Sequence, residues 1–126
     1  MLNAPKISVA EWEVMKVLWE RAPQTANEIV DAVTEQSWSP ATVRTLIGRL
    51  VQKKAVRYTK SGREYLYSPC VSREECRRQE RRSFLRRVYD GAVQPMLASL
   101  LDEEELSQEE LDTLRKMLDA KRRKAK

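Results

Sequence analysis

The side chains best suited to chemistry in this chain are hydroxyls, small groups and cations gathered between Ser39 and Arg63, and what they favour is recognition of an anion. From Ser39 to Gln52 there is no acidic residue, while Ser39, Ala41, Thr42, Arg44, Thr45 and Arg49 fall at helical spacing. Threonine offers a methyl and a hydroxyl, arginine a two-pronged donor that fits guanine, and small residues let a helix sink into a major groove. Lys53 and Lys54 follow at the end of that stretch, and Lys60 and Arg63 surround a Ser61-Gly62 turn, where they would meet phosphates or an adjacent minor groove.

Catalysis has little to build on. The chain has no histidine, so it lacks the usual general base, the usual switch near neutral pH and the usual nitrogen ligand for zinc or copper. Cys70 and Cys76, five residues apart, are neither a disulfide framework nor a zinc pattern. Two reduced thiols in a reducing cytosol is the simplest reading, with a redox or soft-metal sensing pair as its alternative. No enzyme, no cofactor and no metal site is expected.

The charge is unevenly distributed along the 126 residues, whose net charge is +5. Residues 1–39 carry −3, residues 40–90 carry +9, and residues 91–126 carry −1. A cationic middle third with few acids to pair with suits phosphate neutralisation. The longest uncharged apolar stretch, Ala92 to Leu101, is too short to span a bilayer, and Met1 to Ser8 has no apolar core for a secretory signal. A soluble, cytoplasmic protein is expected.

The elements that must position the cations are announced by their starts. In Ser8…Glu11, Thr25…Glu28, Ser72…Glu75 and Ser107…Glu110, a hydroxyl and a carboxylate three residues on can cap the unpaired N–H groups of a first turn. Trp12, Met15, Val17, Leu18 and Trp19 make the first helix amphipathic, over twelve to fourteen residues; Ile29, Val30 and Val33 mark a second of about nine. A third begins at Ser39-Pro40, with Val43, Leu46, Ile47 and Leu50 as its buried stripe. Val56 and Tyr58, then Tyr65 and Tyr67, alternate with polar neighbours and predict a β-hairpin closed by Pro69. A basic helix from Ser72 to about Tyr89, a hinge at Gly91, a segment from Ala92 to Leu101 and a helix from Ser107 to about Lys121 complete the chain, with an unstructured tail from Lys121 to Lys126.

Three helices and a hairpin in this order make a winged helix-turn-helix, in which the third helix reads DNA and the hairpin is the wing. The expected fold is mostly α with a small β-hairpin: a winged helix over residues 1–71 and a helical dimerisation arm over 72–126.

The runs Ile7 to Trp19 (ISVAEWEVMKVLW), Thr25 to Ile29 (TANEI), Trp38 to Leu50 (WSPATVRTLIGRL) and Tyr65 to Pro69 (YLYSP) resemble the penicillinase-repressor family, of the BlaI/MecI/CopY type. The resemblance implies a homodimeric repressor that binds a palindromic operator with its N-terminal winged helix and dimerises through C-terminal helices. In the β-lactamase branch it implies a membrane-bound sensor metalloprotease as a further partner, and a cut within the dimerisation segment. The usual Asn-Phe scissile pair of that branch falls here on Ser99 and Leu100. The copper branch's terminal cysteine cluster has no counterpart, since both cysteines precede residue 77.

Dimerisation also follows from the residues themselves. Leu85, Val88, Tyr89, Ala92, Val93, Met96, Leu97, Leu100 and Leu101 form one apolar stripe, and Leu111, Leu114, Met117 and Leu118 another. With ~1.5 kcal/mol recovered per buried side chain, leaving roughly ten of them wet would forfeit on the order of 15 kcal/mol before entropy. A twofold copy is the simplest cover. A dimeric repressor is the expected function; its alternatives are a winged-helix protein-interaction adaptor and a copper- or thiol-responsive repressor.

Overall fold

A computed structural model describes residues 4–33 and 37–125. In chain order the elements are α1 (Val9–Glu20), α2 (Ala26–Ala32), α3 (Pro40–Gln52), β1 (Val56–Ser61), β2 (Glu64–Pro69), α4 (Arg73–Tyr89), α5 (Val93–Glu103) and α6 (Gln108–Lys124). All four expected capping boxes form. The Ser8 hydroxyl accepts from the Glu11 N–H at 3.1 Å while the Glu11 carboxylate accepts from the Ser8 N–H at 2.8 Å, and the boxes at Thr25, Ser72 and Ser107 repeat the exchange.

The chain divides into two compact units, Met1–Ser83 and Phe84–Lys126. The division falls inside α4 rather than at the Val71/Ser72 junction, because the first turns of α4 belong to the first unit: Cys76 is buried in its core. That core is built from Val14, Met15 and Leu18 of α1, Ile29 of α2, the Val43, Leu46, Ile47 and Leu50 stripe of α3, and Val56 at the start of β1. Trp19 donates its indole N–H to the Val71 carbonyl at 2.9 Å, and the Arg73 guanidinium lies 5.7 Å from its ring centre, so the chain leaving β2 is held against α1.

A Schellman turn joins α3 to the hairpin. Lys54 takes the left-handed conformation at φ 66°, its N–H bonds the Val51 carbonyl and the Ala55 N–H bonds the Leu50 carbonyl, both at 3.0 Å. β1 and β2 pair antiparallel with Tyr58 opposite Tyr67 and Lys60 opposite Tyr65. The loop is Gly62-Arg63, one residue later than the expected Ser61-Gly62, and Gly62 has the positive φ of 64° that a tight hairpin loop needs at its first position.

In the second unit, α6 runs to Lys124 where an unstructured tail from Lys121 was expected. The reason is electrostatic: Lys121, Arg122, Arg123 and Lys124 occupy the last turn, where cations favour the negative end of the helix dipole. Lys126 lies outside the described residues. No side chain of α5 or α6 is buried, and no described helix is long and apolar enough to cross a membrane.

Candidate nucleic-acid interface

α3 presents two faces. Its apolar stripe is sunk in the core, and Ala41, Thr42, Arg44, Thr45, Gly48, Arg49 and Gln52 are all exposed on the other side. Gly48 faces open space, so its missing side chain leaves a shallow step in the middle of that face. The Ser39 hydroxyl caps the helix by accepting from the Thr42 N–H, and its oxygen lies 3.1 Å from the Thr42 hydroxyl. Thr45 donates its hydroxyl to the Ala41 carbonyl at 3.0 Å, which uses its only hydrogen and leaves the oxygen free to accept from a ligand. The Arg49 guanidinium makes no hydrogen bond or ion pair among the described residues, so its fork is available to a ligand.

Arg44 is different. It donates to the Asn27 side-chain oxygen of α2, which fixes its direction at the margin of the face. Asn27 carries no sequence signal for this role, because its partner lies 17 residues away. Beside it, a cleft of about 160 Å³ runs between the start of α2 and the hairpin, lined by Thr25, Asn27, Arg44, Glu64 and the two tyrosines of β2.

Lys53 is the expected phosphate ligand that the structure puts to other work. Its ammonium donates to Glu11 and, at 2.9 Å, to the Lys6 carbonyl, so two of its three hydrogens are spent inside the protein. Burial alone would raise the Glu11 pKa, yet the hydrogen bonds from Lys53 and the Ser8 N–H, with the Lys53 charge, hold it below the usual carboxylate range.

The hairpin carries Lys60 and Arg63, both exposed and unpaired among the described residues, together with Arg57, which sequence reasoning overlooked. Alternation along β1 puts Arg57 on the face opposite Tyr58 and Lys60. On the other face Tyr58 meets Tyr65 edge to face at 5.1 Å, which stiffens the strands behind the loop. The hairpin is held to the helices through Gln24: its N–H donates to the Tyr67 carbonyl at 3.0 Å and its carbonyl accepts from the Tyr67 N–H at 2.8 Å. The buried Gln24 side chain is satisfied by the Val17 and Arg21 carbonyls. The hairpin is therefore hydrogen-bonded into the same compact unit as α3.

The two thiols, whose simplest reading is a reduced pair with a sensing pair as the alternative, differ in their surroundings. Cys70 is exposed, whereas Cys76 is buried and its pKa is pushed up to about 11, first by burial and then by the neighbouring Glu75 charge.

A family model described as "Penicillinase repressor" matches residues 7–120. This chain belongs to that family. The penicillinase repressor of Bacillus licheniformis is 35% identical over 127 residues, covering 100% of this chain and 99% of the relative. The methicillin resistance regulatory protein MecI of Staphylococcus aureus (strain N315) is 34% identical over 117 residues, covering 92% of this chain and 95% of its own. Among solved structures, the DNA-binding domain of the repressor BlaI matches with a TM-score of 0.52 and 38% identity, over 60% of this chain and 93% of that one. BlaI of Bacillus licheniformis, solved as a monomeric form in complex with the blaP half-operator, matches with a TM-score of 0.52 and 37% identity, over 60% of this chain. The repressor's first unit is thus a winged helix, and the family is one of transcriptional regulators rather than enzymes.

The residues expected at a dimer interface all lie exposed or half-buried. Leu85, Tyr89, Met96 and Leu114 are partly covered, while Val88, Val93, Leu97, Leu100, Leu101, Leu111 and Leu118 are exposed, Leu118 to 61%. Ser99 and Leu100 sit within α5, so the bond between them is helical.

Proposed function

We propose that this chain is a homodimeric repressor that binds a palindromic operator in the cytoplasm, regulates β-lactam-resistance genes, and is relieved by a sensor-linked signal such as proteolysis. The observation that carries the reading is the exposed face of α3, where Thr45 and the unpaired Arg49 project beside a wing bearing Lys60 and Arg63. In this reading Ala41, Thr42, Thr45 and Arg49 meet base edges in the major groove, Arg44 is steered by Asn27, and the wing cations meet phosphates. The half-operator bound by BlaI supports it, since that relative shares the winged-helix fold at 37% identity.

The second unit supplies the twofold partner. A polypeptide arm that leaves Val93, Leu97, Leu100, Leu101, Leu111, Met117 and Leu118 exposed gains most by covering them with the same stripe from a second copy. A membrane-bound sensor protease, acting on the chain indirectly, is the source of the signal in this reading, and any cut between the two apolar stripes would lift repression by separating α6 from the rest of the arm.

Genome-wide mapping of bound sites in the producing cell, followed by footprinting, tests the proposal. The expected result is a small set of twofold-symmetric sites beside genes for β-lactam resistance. Weak binding spread evenly over the genome would instead identify a protein-interaction adaptor.

A further inference from the structure

α4 carries a cationic surface that neither the recognition helix nor the apolar stripe accounts for. Arg77, Arg78, Arg81 and Arg82 are spaced so that they share one side of the helix over two successive turns. Cys76 falls on roughly the opposite side and is buried in the core of the first unit, so the four guanidinium groups are directed out of that unit. All four are exposed. Arg77, Arg78 and Arg82 have no ion pair among the described residues, and Arg81 has only Glu74, at 3.3 Å in a pair about equally exposed on both sides. Such a pair is worth little and yields readily to a stronger anion.

Residues 77–82 contain no apolar side chain, so this part of α4 can neither extend an apolar dimer interface nor insert into a lipid surface as an amphipathic helix. Arginine forks suit the paired oxygens of a phosphodiester. The quartet also belongs to the same compact unit as α3 and the wing, the unit that brings a polyanion to the protein. We propose that the Arg77, Arg78, Arg81 and Arg82 face grips the phosphodiester backbone of duplex DNA outside the half-site read by α3. The inference rests on the reading of the first unit as DNA-binding and extends it to a second, sequence-independent contact.

The test compares the full-length protein with its Arg77→Gln, Arg78→Gln, Arg81→Gln, Arg82→Gln variant on a random-sequence duplex several helical turns long. Glutamine keeps helix propensity while removing the charge. Affinity is followed by fluorescence anisotropy between about 50 and 200 mM salt, with sedimentation velocity on the same samples. Each phosphate contact contributes about 0.9 to the slope of log affinity against log salt, so the variant should lose about 3 to 4 from that slope, and a fourfold Arg→Lys variant should regain it. An unchanged slope in the glutamine variant, with the wild type binding normally, overturns the proposal. A glutamine variant that sediments as a monomer yet keeps its slope overturns it too, and assigns the arginines to a second copy of the chain. Failure of the wild-type protein to bind any duplex would refute the DNA-binding reading beneath it.

Discussion

Lys53 and Glu11, 42 residues apart in sequence, form an ion pair that ties the C-terminal end of α3 to the first turn of α1. The Glu11 side chain is 2% exposed and that of Lys53 is 36% exposed. The same carboxylate oxygen also accepts the Ser8 N–H, so one buried group closes the cap of α1 and anchors the end of α3. A cation expected from sequence to meet phosphates is thereby engaged within the protein, holding the end of α3.

The pair makes stability depend on acid. Because the folded Glu11 pKa lies below its ordinary value of 4.5, its contribution is present above that value and is lost as pH falls through the depressed folded pKa. Lys53→Met leaves the carboxylate buried without its partner and should cost about 1–3 kcal/mol at neutral pH, the exposed side of the pair moderating the loss. Urea denaturation should show that deficit at pH 7 and a smaller one once Glu11 is protonated. The slope of DNA affinity against salt should stay unchanged, whereas a drop of about one unit would return Lys53 to the phosphates.

How much was legible in the sequence follows from the range of each interaction. Capping boxes are local, so the starts of α1, α2, α4 and α6 could be read from a hydroxyl and a carboxylate three residues apart. The buried stripe of α3 was legible for the same reason, since periodicity alone separates its two faces. Partners brought together by the fold were not. Nothing near Asn27 announces that it steers Arg44, and nothing near Gln24 announces that it pairs with Tyr67. Arg57 carries no signal of its own in the sequence: its neighbours Val56 and Tyr58 carry the strand pattern, while its exposure depends on the register. Composition misleads at the tail after Lys121: a run of cations looks unstructured, but at a helix C-terminus the same charges are favourable.

Specific and non-specific contacts should separate by mutation. Arg49→Ala and Thr45→Ala should each weaken binding to the operator by ~1–3 kcal/mol and leave binding to random duplex nearly unchanged. Asn27→Ala should act in the same direction but more weakly, since it only frees Arg44 to wander. Removing Arg57, Lys60 or Arg63 should lower affinity for every sequence and flatten the salt dependence by about one unit each. Equal losses on operator and random duplex for Arg49→Ala would move that residue from the bases to the backbone.

The two thiols should differ in reactivity. With Cys70 exposed and the Cys76 pKa raised to about 11, iodoacetamide at pH 8 should label the native protein once, at Cys70, and the urea-unfolded protein twice. Rapid native labelling of both, followed by mass spectrometry, would revive a thiol-responsive mechanism. A Cys70→Ser variant should repress normally.

Twofold recognition sets a spacing. If two recognition helices enter successive major grooves on one side of the duplex, the half-sites should lie about one turn, ~10 bp, or a multiple apart. Leu101→Glu and Leu118→Glu place charges on side chains that are now exposed apolar, so each should leave the winged helix folded while shifting sedimentation toward monomer. Affinity for the full site should then fall far more than affinity for a half-site, because the roughly millimolar effective concentration supplied by tethering is lost. A single asymmetric footprint from the wild-type protein would contradict this arrangement.

The Ser99–Leu100 bond tests how derepression works. It lies inside α5, with Ser99 half-buried and Leu100 46% exposed, so a protease that binds extended substrate must first unwind the helix around it. A cut there would detach α6 with Leu111, Leu114, Met117 and Leu118 from the stripe that ends at α5, and the paired half-sites would be released. The resemblance to the β-lactamase branch places an Asn-Phe pair at these two positions, and this chain has neither residue. A sensor protease selective for that pair should therefore leave the wild-type chain intact when cells receive a β-lactam. The Ser99→Asn, Leu100→Phe double variant should be cut under the same conditions, and immunoblotting with mass spectrometry would show a fragment ending at position 99. Prompt cleavage of the wild-type chain at this bond would instead mean that the protease reads the shape of α5 and its unwinding rather than the two side chains at the cut.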